Sequence, residues 1–491
     1  MVNKKKSCDR LRSCKESSLS LFSIDDYSGS VPAAGNRNGT SLNNAGSNGN
    51  YWSSTPNESN TQNAYNLNFN SDNHDTNWNN RNNGQSVRPV SEFILSKTQS
   101  CYPRFSITKE NLLKDLYRAY KDARKHKRGR IYQLQFEFNL EDNLIVLRDE
   151  LISGNYKPKP SSCFIIHDPK MREVFAADFR DRIVHHLFYN YTHQLFERTF
   201  ITDSYSCIKG RGTHFGIERI KYHIRSVSNG YSKSCYVLKI DIRGYFMHIN
   251  REILLRICHS TLCKMKNRQS NVAGKTWGEL LDYDFVDYLL RTIVNTNPLD
   301  NCIIIGEIED WNNLPKDKSL FYSKENCGLP IGNLSSQLFS NVYLNVFDQY
   351  VKRQLGCKHY GRYVDDAYFV SDNRELLKLY ISKLDDFLQV NLKLSINHAK
   401  IKIIKIQYGV EFLGAYIKPF RAYISKNSLM RMKRKIFSIP KNDRKRLFAS
   451  VNSFLGVLSH YKSYCLRRVL FGYNSKLSNF GHFSRDWLKF S

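Results

Sequence analysis

An α+β fold is expected from three features of the sequence. From residue 234 to 420, short β-rich runs such as "CYVLKID", "RYVDDAYFV" and "GVEFLGAYI" alternate with runs of helical spacing. Residues 96–233 and 421–491 flank them with basic stretches whose apolar residues recur at helical intervals. Residues 1–95 differ from both, being Asn/Ser-rich and weakly patterned. Four zones follow: a low-complexity segment over 1–95, mostly without a packed core; a basic helix-prone zone over 96–233; a sheet-and-helix zone over 234–420, with an insertion of surface helix and loop at 264–326; and a basic helical zone over 421–491.

The first zone holds eighteen asparagines between Asn36 and Asn83. Asn favours turns and caps and is disfavoured inside strands and helices, so little regular structure is expected there. In "TKENLLKDLYRAYKDARKHKRG", Thr108 is placed to cap a helix. "CYVLKID" reads as a buried strand, Tyr236 to Ile240, ending on Asp241. "HYGRYVDDAYFVS" reads as two short strands joined at Asp365-Asp366. In the last zone Pro440 divides residues 429–471 into at least two helices, and Tyr461 and Tyr464 are expected in their core.

The formal charge of +29 is unevenly spread. Residues 1–95 carry nine Lys/Arg and eight Asp/Glu, which leaves 65 against 37 for the remainder. That excess fits a polyanionic partner, most simply nucleic acid; a merely soluble basic surface is the blander reading. Twelve cysteines are scattered with no C-x-x-C pair and no His/Cys cluster at zinc spacing. They fit reduced thiols in a cytoplasmic protein better than a disulfide framework. No apolar run of signal-peptide length follows the basic start "MVNKKKSC", and no run reaches the roughly 18 apolar residues of a membrane span.

Chemistry is expected at Asp241, Asp365 and Asp366. Two adjacent carboxylates at a tight turn repel each other, and bringing a third beside them is costly unless cations neutralise the charge. Hard divalent cations suit such oxygen donors, and Mg²⁺ keeps positions for water or substrate phosphate. Two such ions about 3.5–4 Å apart can steady both the attacking and the leaving oxygen of a phosphoryl transfer. Taken singly, each short motif has an ordinary reading, a strand-end Asp or a solvated turn. An ordered set of blocks around them raises the specificity.

Those blocks are "DIRGYF" (241–246), "GLPIGNLSSQLFSNVYLN" (328–345), "YVDD" (363–366), "LSINHAKIKI" (394–403) and "GVEFLGAYIKP" (409–419). In this order they resemble the palm of a reverse transcriptase. Upstream, "DPKMREVFAADFRDRIVHH" (168–186) and "SYSCIKGRGTH" (204–214) resemble the fingers blocks of bacterial reverse transcriptases. The resemblance implies a right-hand polymerase: fingers over 96–233, a palm of antiparallel sheet plus helices over 234–420, and a thumb over 421–491 that holds primer and template. It implies an RNA-directed DNA polymerase, a nucleotidyltransferase using two Mg²⁺ ions, with template RNA, RNA–DNA duplex and deoxynucleoside triphosphates as partners. Residue by residue it implies that Asp241, Asp365 and Asp366 are the catalytic, metal-binding carboxylates, with the backbone carbonyl of Ile242 beside them. Phe246 would lie under the sugar and leave no room for a 2′-OH. Lys170 and Arg172 would clamp the triphosphate through charge-assisted hydrogen bonds. Ile331, Gly332 and Gln337 would belong to the nucleotide-binding loop, and Lys400 would stand near the leaving pyrophosphate, with Lys402 as its competitor.

Within "LPIGNLSSQ" the sequence departs from most reverse transcriptases, which carry Gln before the Gly and Ser-Pro a few residues later. Here Ile331 replaces the Gln, and Ser336-Gln337 replaces Ser-Pro. An Ile cannot donate a hydrogen bond to nucleotide or template, so one polar check on geometry is missing. The I-G-x-x-x-S-Q form resembles the reverse transcriptases of diversity-generating retroelements. These copy a template RNA, misincorporate opposite adenine, and replace a variable repeat in a target gene; the resemblance also implies a small basic accessory protein. Asn codons are AAU and AAC, and randomising both adenines gives NNY, which contains no stop codon. Residues about 31–90, similar to the variable end of C-type-lectin-like display proteins, are therefore expected to be the template repeat read through in frame; a plain Asn-rich linker is the alternative. Two other functions stay open: a retron or phage-defence reverse transcriptase, and a catalytically inactive nucleic-acid-binding scaffold. Ile331 and Gln337 weigh against the first, and the intact carboxylates against the second.

Overall fold

The structure is a computed structural model. It describes the backbone of six strands between Asn36 and Gln85, and residues 105–490 apart from 126, 128, 168–169, 441–442, 473–476 and 478–480. Two units divide the chain, Met1–Pro103 with Thr108–Lys114, and Arg104–Ile107 with Asp115–Ser491. In the first unit lie β1 (Asn36–Asn38), β2 (Ser41–Asn43), β3 (Gly49–Pro56), β4 (Asn63–Phe69), β5 (His74–Asn80) and β6 (Asn83–Gln85). They form two antiparallel sheets, ordered β2-β1-β6 and β3-β4-β5. Little regular structure was expected here, and the strands correct that. Counting asparagines hides a period of two: Tyr65, Leu67 and Phe69 alternate with Ala64, Asn66 and Asn68. The β4–β5 register sets Tyr65 opposite Trp78 and Leu67 opposite Thr76. The expected lack of a packed core concerns side chains outside the described residues.

After α1 (Lys109–Arg124), which Thr108 caps by accepting from the Asn111 N–H at 3.2 Å, come α2 (Ile131–Phe138) and α3 (Leu140–Ile152). A hairpin follows, β7 (Ser162–Ile166) and β8 (Arg172–Ala176), and then α4 (Phe179–Glu197), α5 (Thr213–Val227) and β9 (Tyr236–Asp241). Beyond β9 lie α6 (Tyr245–His248), α7 (Arg251–Lys266), α8 (Tyr283–Asn295), β10 (Ile303–Ile304) and α9 (Leu334–Gln349). The chain continues through β11 (Tyr360–Tyr363), β12 (Asp366–Ser371), α10 (Arg374–Leu392) and β13 (Lys402–Lys405) to a small antiparallel sheet of β14 (Val410–Phe412), β15 (Ala415–Lys418) and β16 (Arg421–Ile424). It ends in α11 (Lys426–Ser438), α12 (Arg444–Ser459) and α13 (Tyr464–Gly472).

The sheet that positions the carboxylates runs β11-β12-β9-β13, antiparallel throughout. Strands β11, β12 and β9 are buried on both faces, and β13 is a partly exposed edge. On one face Val237, Tyr368 and Val370 pack with Ile217, Ile220 and Ile224 of α5 and with Val410, Phe412 and Ile417 of the small sheet. On the other, Phe369 meets Tyr380 of α10 with ring centres 6.3 Å apart, and Tyr360 meets Phe347 of α9 at 6.2 Å. Helix α9 is buried nearly all round, Ser335, Ser336, Ser340, Asn341 and Asp348 included, and its apolar contribution is Leu338, Phe339, Val342, Tyr343, Leu344 and Phe347. Each such side chain contributes roughly 1.5–3 kcal/mol through burial.

Segment 264–326, expected to be surface helix and loop, is largely exposed, but it also packs one helix face and one strand into the chain. The "FVDYLLRTIV" pattern gives α8 one buried face of Phe285, Val286, Leu289, Leu290 and Val294. β10 joins β7 in parallel, so the sheet order is β10-β7-β8. Glu173 of β8, fully buried, accepts from Trp311 Nε1 at 2.7 Å, Ser319 Oγ at 2.7 Å and the Leu320 N–H at 2.6 Å. The segment is thus tied into the β7–β8 hairpin. The last zone, expected to be helical, begins with β16; Pro440 falls in the break between α11 and α12, as expected. Tyr461 packs against the α11–α12 core, but Tyr464, the first residue of α13, is exposed. Among the described residues no helix is long and apolar enough to cross a membrane.

Candidate active site

Strand register brings the expected carboxylates together. In the β9–β12 ladder Asp241 stands directly opposite Asp366, and Lys239 opposite Tyr368. Residues opposite each other share a face, so both carboxylates lie on the face that carries Tyr368. Asp365 is the second residue of the two-residue turn that joins β11 to β12, since Tyr363 pairs with Asp366. Val364, the first, has φ +55°. A β-branched side chain there costs on the order of 1–3 kcal/mol, so the surroundings must impose the turn.

A buried ion pair beneath the sheet does so. Arg362 of β11 donates from Nη1 to the Val364 carbonyl at 2.8 Å. The same guanidinium grips Asp348 of α9 bidentately, Nε to Oδ1 at 2.8 Å and Nη2 to Oδ2 at 2.6 Å. Tyr360 adds its hydroxyl to Asp348 Oδ1 at 2.6 Å, and both charged groups are essentially inaccessible to solvent. Neither Asp348 nor Arg362 was anticipated. The available signal was a lone charge inside an otherwise apolar run, "VYLNVFDQY" for one and "YGRYV" for the other, because a buried charge demands a partner.

Above the sheet the charges are crowded. Burial, then the neighbouring Asp241 carboxylate, pushes the Asp365 carboxyl up to about 6. Burial also raises Asp366, against the pull of Lys239, whose Nζ lies 3.4 Å from its carboxylate. Lys400 donates to Asp241 Oδ2 at 2.6 Å. Burial alone would lower the Lys400 ammonium, but Asp241 and the two hairpin carboxylates carry it above its usual range. Of the two candidate lysines, Lys400 therefore reaches the carboxylates, while Lys402 is exposed on β13 opposite Lys239. Among the described residues no three His, Cys, Asp or Glu side chains close into a ready metal cage. The donor set nonetheless fits hard divalent cations, because three carboxylates converge at one buried place, where burial first and the neighbouring carboxylates second already lift Asp365. The Ile242 carbonyl takes no part in the adjoining backbone pairing, which runs from the Asn397 N–H to Asp241 O and from the Arg243 N–H to Ser395 O.

A second group of expected residues gathers in an apolar cluster beside the β7–β8 hairpin. Phe246 and Ile331 both pack on Cys163, Phe175, Met247 and Leu320. The Phe175 N–H donates to the Ile331 carbonyl at 2.9 Å, and the Leu329 N–H to the Phe246 carbonyl at 2.9 Å. Gly332 has φ +135°, and a Cβ there would meet the Phe175 carbonyl oxygen at 2.7 Å, so only glycine lets the two backbones pass this closely. Lys170 and Arg172 are exposed on the hairpin, and their charges reach Asp366 and Tyr363 respectively. Gln337 is exposed in the first turns of α9.

Residues 158–417 match the family model described as reverse transcriptase (RNA-dependent DNA polymerase), and residues 23–90 match a model described only as a domain of unknown function. Protein YkfC of Escherichia coli (strain K12) is 25% identical over 359 residues, covering 66% of this chain and 82% of that protein. Among solved structures, apo telomerase from Candida tropicalis is similar with a TM-score of 0.40 at 12% identity, over 64% of this chain and 56% of that one. Telomerase from Candida albicans in complex with a fragment of telomeric RNA is similar at 0.38 and 10% identity, over 66% and 59%. The chain thus spans somewhat over half the length of these telomerases.

Proposed function

The chain belongs to the reverse transcriptase family, the RNA-dependent DNA polymerases, and on that premise we propose that it copies a template-repeat RNA into adenine-mutagenised cDNA that diversifies a target gene. The observation that carries this reading is Ile331 at the position where most of the family has Gln, packed with Phe246 in one apolar cluster. A nucleotide or template base approaching there meets a hydrocarbon wall instead of a hydrogen-bond donor, and mispairs pass one check fewer. Ile331→Gln should lower errors at template adenines, on the order of tenfold, as read by sequencing cDNA from a defined template. An unchanged error spectrum removes Ile331 from the account.

In this reading 96–233 forms the fingers, 234–420 the palm and 421–491 the thumb. Enzymes of the family generally use divalent metal ions. Asp241, Asp365 and Asp366, with the Ile242 carbonyl, would hold two Mg²⁺, which supply neutralisation of charge on the attacking 3′-oxygen and the leaving pyrophosphate. Lys170 and Arg172 bind the triphosphate from the hairpin. Lys400 holds a proton at Nζ toward the pyrophosphate. Gly332 lets the loop lie close against β8, with Gln337 at the head of α9. Phe246 selects deoxynucleotides by occupying the space a 2′-OH would need. Phe246→Val should raise the relative kcat/KM for ribonucleotides on the order of tenfold or more; an unaltered sugar preference assigns Phe246 to packing alone. Template RNA, deoxynucleoside triphosphates and a small basic accessory protein are the partners, in the cytoplasm.

Residues about 31–90 are, in this proposal, the template repeat read in frame with the polymerase. A second copy in the surrounding DNA should match it apart from positions of adenine. If no such copy exists, the template-repeat reading falls and the Asn-rich linker takes its place.

A further inference from the structure

The outer edge of the β10-β7-β8 sheet departs from the rest of the chain in polarity and in charge. Ile303, Ile304, Ile305, Ile308 and Ile166 are between 39 and 71% exposed. They adjoin one another. The Ile303 N–H donates to Ser161 O at 2.9 Å and the Ile305 N–H to Cys163 O at 2.8 Å, so this segment runs along β7. His167 and Asp310, 3.9 Å apart, tie the following turn to the far end of β7. Successive residues of a strand present their backbone groups to alternate sides, so the N–H and C=O of Ile304 lie on the side away from β7. β10 is the edge of its sheet, and an apolar strand edge is a template for a further strand.

Charge limits what can bind there. From Leu299 to Pro315 the chain carries Asp300, Glu307, Glu309 and Asp310 and no Lys or Arg, although residues 96–491 hold a large cationic excess. Nucleic acid is repelled by such a rim, and two copies of the chain would bring two acidic rims together. We propose that the β10 edge docks a protein segment in extended conformation, carrying Lys or Arg among apolar residues, which adds as a fourth strand beside Ile304. Backbone hydrogen bonds hold it, isoleucines on either face grip its apolar side chains, and the acidic rim selects its charge. The inference rests on edge and charge alone and stands whether or not the polymerase mutagenises adenines.

The probe is a short fluorescent peptide of alternating Lys and Val, titrated with the full chain and followed by anisotropy. It should bind at least roughly tenfold more tightly than the same peptide with Glu for Lys, or with alternate backbone nitrogens methylated. Ile304→Lys, at an exposed position, should weaken it roughly tenfold while leaving thermal unfolding and primer extension unchanged. Asp300→Asn with Glu309→Gln should weaken it as well, with the strand edge intact. The proposal is overturned by equal binding of the methylated peptide, by indifference to both variants, by displacement with an RNA–DNA primer–template, or by a chain dimer that Ile304→Lys dissociates.

Discussion

Asp365→Ala with Asp366→Ala should abolish primer extension on an RNA template, by roughly a thousandfold or more, since in the proposed mechanism several kcal/mol of charge stabilisation at the reacting phosphate would be lost. RNA binding should persist, because phosphates are held by cations spread over the chain and not by these carboxylates. The reason is geometric. Asp241 and Asp366 stand opposite each other in one ladder, and Asp365 is beside them at the turn, so three oxygen-donor groups share one place. Filter binding and single-turnover extension on the same preparation check both halves. Extension near the unmodified rate would remove the hairpin from the chemistry and leave a binding scaffold.

Arg362→Met should have the second largest effect, and on stability first. Removing one partner of the Arg362–Asp348 pair strands a carboxylate that has no access to water. The expected cost is about 3–5 kcal/mol, and a fall in Tm of roughly 6 °C or more. Arg362→Lys should not rescue it, because one ammonium cannot bond both Asp348 oxygens and the Val364 carbonyl as the planar fork does. Arg362→Met with Asp348→Leu should recover much of the stability, since no charge is then left unpaired, but not the activity, since the Val364 turn loses its brace. A single Arg362→Met variant that melts within a degree of the parent would contradict the assignment.

Local pattern made some of this legible. β9 ends on Asp241 where the apolar run stops, and β11 and β12 form where the aromatic and β-branched residues predict, but they join at Val364-Asp365, one residue before the expected Asp365-Asp366, so Asp366 opens β12. That β9 pairs with β12 in the register setting Asp241 against Asp366 is a long-range fact, and a slip of one residue would send one carboxylate to the opposite face. The resemblance of the ordered blocks implied only that the three carboxylates meet; the register itself comes from the structure. The brace under the hairpin was not seen because Asp348 and Arg362 each look like an exception when the partner is unknown. The buried face of α8 was not singled out although its amphipathic spacing was present in the sequence. In the first unit, composition masked the alternation of Tyr65, Leu67 and Phe69. Choosing Lys400 over Lys402 needed side-chain placement, since both lie two residues apart in one basic run.

In the proposed mechanism Asp241 and Asp365 share divalent cations. Iron(II) substituted for magnesium, with ascorbate and peroxide, cuts the polypeptide next to wherever the metal sits. The expected result is two cuts, one beside Asp241 and one within residues 363–366, both suppressed by excess Mg²⁺ and both lost in Asp365→Asn. Cleavage at only one of the two strands, or cuts that Mg²⁺ does not compete away, would contradict it.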